Sequence, residues 1–170
     1  MKETGIVRRI DELGRVVIPK ELRKTLRLSQ GEQVEIYTAD DALVLRKYSE
    51  LDDRREQVSR MCEALAAESG KHVTITDGST VLASTYPDWI GQELAQPYFE
   101  IVDQERRGVR LDRETLAPVD DRERKFRTGY AVPMLIGGDL IGTIWMGGDT
   151  LDARDEAMCD VASGFLTCGA

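Results

Sequence analysis

The stretch Gly5–Leu28, GIVRRIDELGRVVIPKELRKTLRL, decides how this chain is read, because it is basic in a protein that is acidic overall. From Arg8 to Arg27 it carries seven basic residues (Arg8, Arg9, Arg15, Lys20, Arg23, Lys24, Arg27) against three acidic ones (Asp11, Glu12, Glu21), while the whole chain has a net charge of −8. Its conformational pattern is equally marked. Ile6, Arg8 and Ile10 alternate with Val7 and Arg9 as in a strand, Gly14 supplies a turn, and Arg15–Ile18 reads as a second, β-branched strand. Pro19 then opens a helix, PKELRKTL, at a position where its missing N–H costs no hydrogen bond. On that helix Leu22 and Leu26 share an inward face with Ile18, Lys20 and Lys24 form one outward row, and Arg23 and Arg27 form another.

Beyond this stretch, QVEIYTA and ALVLRKY alternate as two strands around a turn at Asp40–Asp41. The expected order is therefore β-β-α-β-β in about 47 residues, too few to bury a sufficient core without a disulfide, a metal or a partner. An obligate, interleaved dimer is the expectation. Residues 1–47 hold ten basic and eight acidic residues, a net +2, and the remainder hold 13 and 23, a net −10. Such asymmetry reads as a basic module joined to an acidic one.

Several function classes drop out at this stage. With 41% hydrophobic and 32% charged residues the composition is that of a soluble globular protein. No apolar run reaches the roughly 18 residues a membrane span needs, and the first residues lack the apolar region of an export signal. No membrane partner is expected, and the expected location is cytoplasmic. Cys62, Cys159 and Cys168 lack C-x-x-C spacing and read as reduced thiols, and His72, the single histidine, has no ligand cluster around it, so no metal and no cofactor are expected. No nucleophile–base arrangement or phosphate-binding glycine loop is evident, so no catalytic residue is assigned.

The segment SELDDRREQVSRMCEALAAES has Leu51, Val58 and Leu65 seven apart, with Met61 and Cys62 beside them. That stripe suits a short coiled coil between subunits and equally an ordinary helix packed on the next domain. As a free linker of about 18 residues it would span roughly 27 Å and hold the acidic module beyond the roughly 8–10 Å reach of screened charge. From Lys71 onward KHVTITD and TVLAST read as strands joined at Gly78-Ser79. YPDWIGQELAQPYFEIVDQERRG is helical in parts, broken by Pro87 and Pro97, and the charged run after it reads as loop with at most one short strand. GYAVPMLIGGDLIGTIWMGG is the clearest hairpin, and a closing helix places Met158, Val161, Ala162 and Phe165 on one face. The whole of this half suggests one antiparallel sheet with helices on one or both faces.

TGIVRRIDELGRVVIPKELRKTL through EIYTADDALVLRKY resembles the N-terminal module of the AbrB transition-state regulators, and YAVPMLIGGDLIGTIWM with the closing ASGFL is similar to a GAF domain. The resemblance implies a mixed fold: residues 1–50 a swapped-hairpin β-barrel of the AbrB/MazE type, 51–69 a linking amphipathic helix, and 70–170 an α+β GAF-like domain. It implies a sequence-tolerant DNA-binding transcription regulator of endospore-forming bacteria, associated with the nucleoid. The family's contact arginines fall on Arg8, Arg15 and Arg23, with Lys24 at a position often occupied by Arg; Lys20 and Arg27 extend the basic set. A lysine meets a phosphate but lacks the fork that reads guanine. Arg27 supports the site or simply solvates the helix. Arg9, on the opposite strand face from Arg8, is read as pairing with an acid, and Asp11 and Glu12 as orienting Arg15 or a neighbour. The chain contains no Asn to read adenine, so readout is expected to rest on DNA shape, with A·T-leaning sites.

The expected partners are double-stranded DNA, a second copy through the first module, and a homotetramer through the linking helix and GAF-like domain. The GAF resemblance also implies a small-molecule pocket, for which Tyr86, Trp89, Tyr98, Phe126, Tyr130 and Trp145 are candidates, with Arg110 or Arg127 as an anion partner; plain core packing is the other reading of each aromatic. The cyclic-nucleotide signature of some GAF domains requires an Asn and cannot be met. Two rivals remain. One is a GAF-type reductase of oxidised methionine, which would need an activated cysteine. The other is an antitoxin-type DNA-binding protein whose acidic C-terminal region neutralises a partner.

Overall fold

In a computed structural model of the chain, which describes residues 5–26, 28, 30–31, 33–112, 117–121, 124 and 126–168, strands pair in two separate places. They belong to two units, Met1–Tyr48 and Ser49–Ala170. In the first, Pro19 caps helix α1 (Lys20–Thr25), preceding its first residue, and the Arg23 N–H donates to the Pro19 carbonyl at 2.9 Å. Strands β1 (Val34–Ala39) and β2 (Ala42–Lys47) form an antiparallel hairpin in register from Val34↔Lys47 to Ala39↔Ala42. Its turn holds Asp40 at φ 49°, a conformation that Asp tolerates better than most residues.

The strands expected in Ile6–Ile10 and Arg15–Ile18 do not form. Alternation alone makes no strand; a ladder needs a neighbour, and among the described residues of one chain these segments have none. Among the described residues the order in one chain is thus α-β-β, with no closed barrel. Their apolar side chains stay in water: Val7 is 84% exposed, Ile10 72%, Leu13 74% and Val17 75%. Leu26 is also exposed, so of the expected inward face only Ile18 and Leu22 are half-buried.

The second unit begins with α2 (Glu50–Asp53) and α3 (Arg55–Ser69). A hairpin follows, β3 (His72–Asp77) and β4 (Val81–Ser84), then a 3-10 turn at Pro87–Trp89 and α4 (Gln96–Gln104). β5 (Val109–Asp112), β6 (Thr128–Ile136), β7 (Asp139–Gly148) and α5 (Ala153–Thr167) complete it. The five strands form one antiparallel sheet in the order β4-β3-β7-β6-β5. At the β6–β7 turn Ile136 pairs with Asp139, leaving Gly137 and Gly138 at φ 61° and 94°; two successive positive φ values are what a two-residue hairpin of the observed twist requires. α5 starts in a capping box: the Asp152 carboxylate accepts from the Arg154 and Asp155 N–H groups, and Asp155 accepts from the Asp152 N–H.

The pleat divides the core. Tyr130 opposite Met146 faces α3 and α5, in a cluster with Leu51, Val58, Cys62, Leu65, Cys159, Ala162 and Leu166. Ala131 opposite Trp145 faces α4 and the 3-10 turn, with Trp89, Tyr98 and Val102. Leu51, Val58 and Leu65 therefore pack on their own sheet, the second of the two readings open for that segment, and α3 is no free-standing spacer. The expected inward face of α5 divides as well: Ala162 goes to the core, while Val161 and Phe165 remain 73% and 54% exposed. Among the described residues no helix is long and apolar enough to cross a membrane.

Strand β7 passes so close to β3 that a Cβ at Gly142 would lie 2.2 Å from the Thr76 carbonyl oxygen and 2.6 Å from Leu51. Backbone cannot yield there. Gly142→Ala is expected to destabilise the second unit by about 1–3 kcal/mol, the usual cost of overpacking, read by the fluorescence melt of Trp89 and Trp145.

Candidate nucleic-acid interface

Arg8, Arg9, Arg15, Lys20, Arg23, Lys24 and Arg46 of the first unit are exposed, and they differ in what holds them. Arg15 is the ordered one. The Asp11 carboxylate accepts from the Leu13 N–H (3.0 Å) and the Arg15 N–H (2.8 Å) through Oδ1, and from Arg15 Nε (2.8 Å) through Oδ2. The Asp11 N–H donates to the Arg15 carbonyl and the Gly14 N–H to the Asp11 carbonyl, both at 3.0 Å, with Gly14 at φ 75°. These bonds from Arg15, its backbone N–H foremost, hold the Asp11 carboxyl below the usual carboxylate range, so it is charged at neutral pH. Asp11 is thus the acid that orients Arg15, as one reading of the sequence had it.

Arg8, Lys20, Arg23 and Lys24 are not held in this way. Among the described residues Arg8 donates only to the carbonyl of its neighbour Val7, at 3.1 Å. Lys20, Arg23 and Lys24 project from α1 with no ion pair or side-chain hydrogen bond among the described residues, and Arg23 and Lys24 sit in its last turn, where the helix dipole favours positive charge. Arg9 is likewise exposed and unpaired among the described residues, which corrects the expected acid partner: with no ladder beside it, no neighbouring strand brings an acid within reach. Arg27 lies outside the described residues. One basic residue not singled out in the sequence, Arg46, is anchored on the hairpin by the Tyr37 hydroxyl (2.8 Å) and Glu35 (3.4 Å).

The candidate pocket of the second unit does not assemble as one site. Trp89, Tyr98 and Trp145 are buried on the α4 face, with Tyr86 and Phe126 partly buried against them. Tyr130 is on the opposite face, donating to Asp160 of α5 at 3.0 Å, and Arg110 pairs with Glu156 of the same helix. Arg127 is exposed, 3.8 Å from Asp149. The arginine that does sit on the aromatics is Arg124, 4.2 Å above the Tyr86 ring and paired with Asp88 (2.7 Å) and Asp121 (2.5 Å). Asp121 also accepts from Trp89 Nε1 at 2.8 Å. Nothing in the charged run DDRERKFR marks which of its cations would do this. The aromatics are core, closed by their own arginine.

Two of the three thiols are inert. Burial pushes both Cys62 and Cys159 up to about 12, so neither is a thiolate at neutral pH and neither can act as a nucleophile. Cys168 is exposed near the end of α5. Among the described residues no group of His, Cys, Asp and Glu could hold a metal ion.

Comparison with known proteins bears on both units. A family model described as antidote-toxin recognition MazE, bacterial antitoxin, matches residues 7–53. Stage V sporulation protein T of Bacillus subtilis (strain 168) is 32% identical over 172 residues, covering 98% of this chain and 97% of that protein. Transition state regulatory protein AbrB of the same organism is 37% identical over 94 residues, covering 55% of this chain and 90% of the relative. Among solved structures, a GAF domain/HD domain protein from Geobacter sulfurreducens aligns with a TM-score of 0.54 over 66% of this chain and 89% of that chain. At 16% identity it shows the fold alone, a GAF-like one.

The thiol environments give a direct check. Native protein treated with a disulfide reagent at neutral pH is expected to release one equivalent per chain, from Cys168, and three after denaturation. Two or three equivalents from the native state would contradict the burial of Cys62 and Cys159.

Proposed function

The chain belongs to the family of stage V sporulation protein T, and from that membership we propose that it is a transcription regulator that binds double-stranded DNA as a dimer of its first unit. One observation carries the proposal: a single small unit combines exposed cations, among them Lys20, Arg23 and Lys24 without an ion pair among the described residues, with apolar side chains that lack internal cover. A second copy answers both. It gives the segments 6–10 and 15–18 a ladder partner, covers Val7, Ile10, Leu13 and Val17, and closes an interleaved swapped-hairpin barrel. It also doubles the basic set, so that Arg8, Arg15, Arg23 and Lys24, four per chain, place eight cations on one surface. Duplex DNA carries one charge per about 1.7 Å of axis, and neutralising it releases counterions. Lys20 adds to the same field. Binding is sequence-tolerant and A·T-leaning, resting mainly on shape, with base-edge readout confined to few contacts. The names of the relatives point to sporulation and transition-state genes as targets, and so to work at the nucleoid.

The second unit assembles the regulator. Met61 and Leu65 of α3 and Ala157, Met158, Val161, Ala162 and Phe165 of α5 line an apolar groove of about 450 Å³ with no polar lining except the stem of Arg154. A second copy laid on this face joins two DNA-binding dimers into a tetramer. Small-molecule sensing is not part of this reading, because Arg124 already occupies the aromatic face. The antitoxin alternative requires a disordered acidic tail, and the acidic region here has a two-faced core. Catalysis by Cys62 or Cys159 lacks its thiolate.

Two experiments test the proposal. Titration of full-length protein against A·T-rich duplex should give log K falling linearly with log salt, and Arg23→Ala should lower the slope by about 2, one phosphate contact per chain of the dimer; Arg8→Ala should act similarly. A salt-independent affinity overturns the reading. Val161→Asp should leave a dimer by sedimentation where the wild type is a tetramer, with DNA affinity per dimer unchanged.

A further inference from the structure

We propose that Asp11 is a positioning residue that makes Arg15 the sequence-discriminating contact, leaving the other cations to supply affinity. The inference rests on the DNA-binding reading above. One exposed carboxylate takes three donors within a single five-residue loop: the N–H groups of Leu13 and Arg15 on Oδ1, and Arg15 Nε on Oδ2. The backbone closes on itself through Asp11–Arg15 and Gly14–Asp11 bonds. Both ends of the Arg15 side chain are therefore constrained, its root by the loop and its Nε edge by the carboxylate.

The Nη1/Nη2 edge takes no partner among the described residues. That edge is the planar fork that meets two acceptors on a base edge, and it works only if the guanidinium plane is held at the right angle. A free arginine must lose side-chain freedom to do so; Arg15 is already ordered. Arg8, Arg23 and Lys24 have no such support and act as mobile charges, which suits phosphates and carries no sequence information.

Asp11 also repels phosphate. A purely electrostatic role and a positioning role therefore separate cleanly: removing a repelling charge strengthens binding to every duplex alike, whereas removing a positioning residue weakens only the preferred one.

Asp11→Asn tests this, since Asn keeps an acceptor for the two backbone N–H groups while removing the charge that holds Nε. A preferred duplex is first selected from a random pool with the wild type, and affinities are measured on it and on a mixed-sequence duplex. The variant should lose about tenfold on the preferred duplex, lose nothing on the mixed one, keep the salt slope, and show no loss in an Arg15→Ala background. Arg15→Lys, which keeps the charge and lacks Nε, should lose the same discrimination and covers the case in which Asp11→Asn unfolds. Equal strengthening on both duplexes, an unchanged ratio in either variant, or a loss that persists without Arg15 overturns the inference, as does a wild type with no preferred duplex. A wild type that binds no duplex at any salt overturns the DNA-binding reading itself, and this inference with it.

Discussion

Apolar side chains left in water are the constraint on which the rest depends. Val7, Ile10, Leu13, Val16 and Val17 are all exposed in the first unit of a single chain. Burying one such side chain contributes about 1.5–3 kcal/mol, so five together rival the 5–15 kcal/mol that holds a whole domain. Covering them is therefore a condition of folding for this unit. In the proposed dimer the same event brings two sets of Arg8, Arg15, Arg23 and Lys24 onto one body, so the step that stabilises the fold also builds the proposed binding surface.

Charge follows the same division. The chain is acidic as a whole, yet its acid lies mostly after residue 47, in a unit with its own sheet and two packed faces. α3 belongs to that second unit, and its apolar stripe packs on β3 and β4 and on α5. What remains outside, with Val161 and Phe165, is a second uncovered surface of a different kind: a groove on an already complete core rather than the missing half of one. Cover for the first surface completes a core, whereas the second borders a core already complete.

Much of the architecture was legible because it is local. Gly137-Gly138 between two β-branched runs specifies a hairpin by turn geometry alone, and β6–β7 follows. Pro19 before KELRKT specifies where α1 begins. The heptad stripe of α3 was visible, but not what it packs against, since a stripe shows that a face is apolar and not whose face meets it. The alternation of Ile6–Ile10 was visible too, and one chain leaves it without a ladder. Arg9 was expected to pair for the same reason, that a strand face was imagined beside it. Tyr130 and Ala131 are adjacent in sequence and opposite in the sheet, so Tyr130 parts from the other five candidate aromatics, and Arg124 is hidden in the sequence among equivalent charges.

By itself, then, the sequence determined the basic and acidic halves, the turns, the helix starts and the family, because these depend on residue type and short spacing. Only the tertiary structure decided which face each apolar residue uses and which arginine closes the aromatic cluster, and it chose Asp11 over Glu12 as the acid that holds Arg15. The first two outcomes depend on the pleat of a five-stranded sheet, which brings together groups whose spacing in the chain carries no signal of their contact, and the third on the closure of one loop.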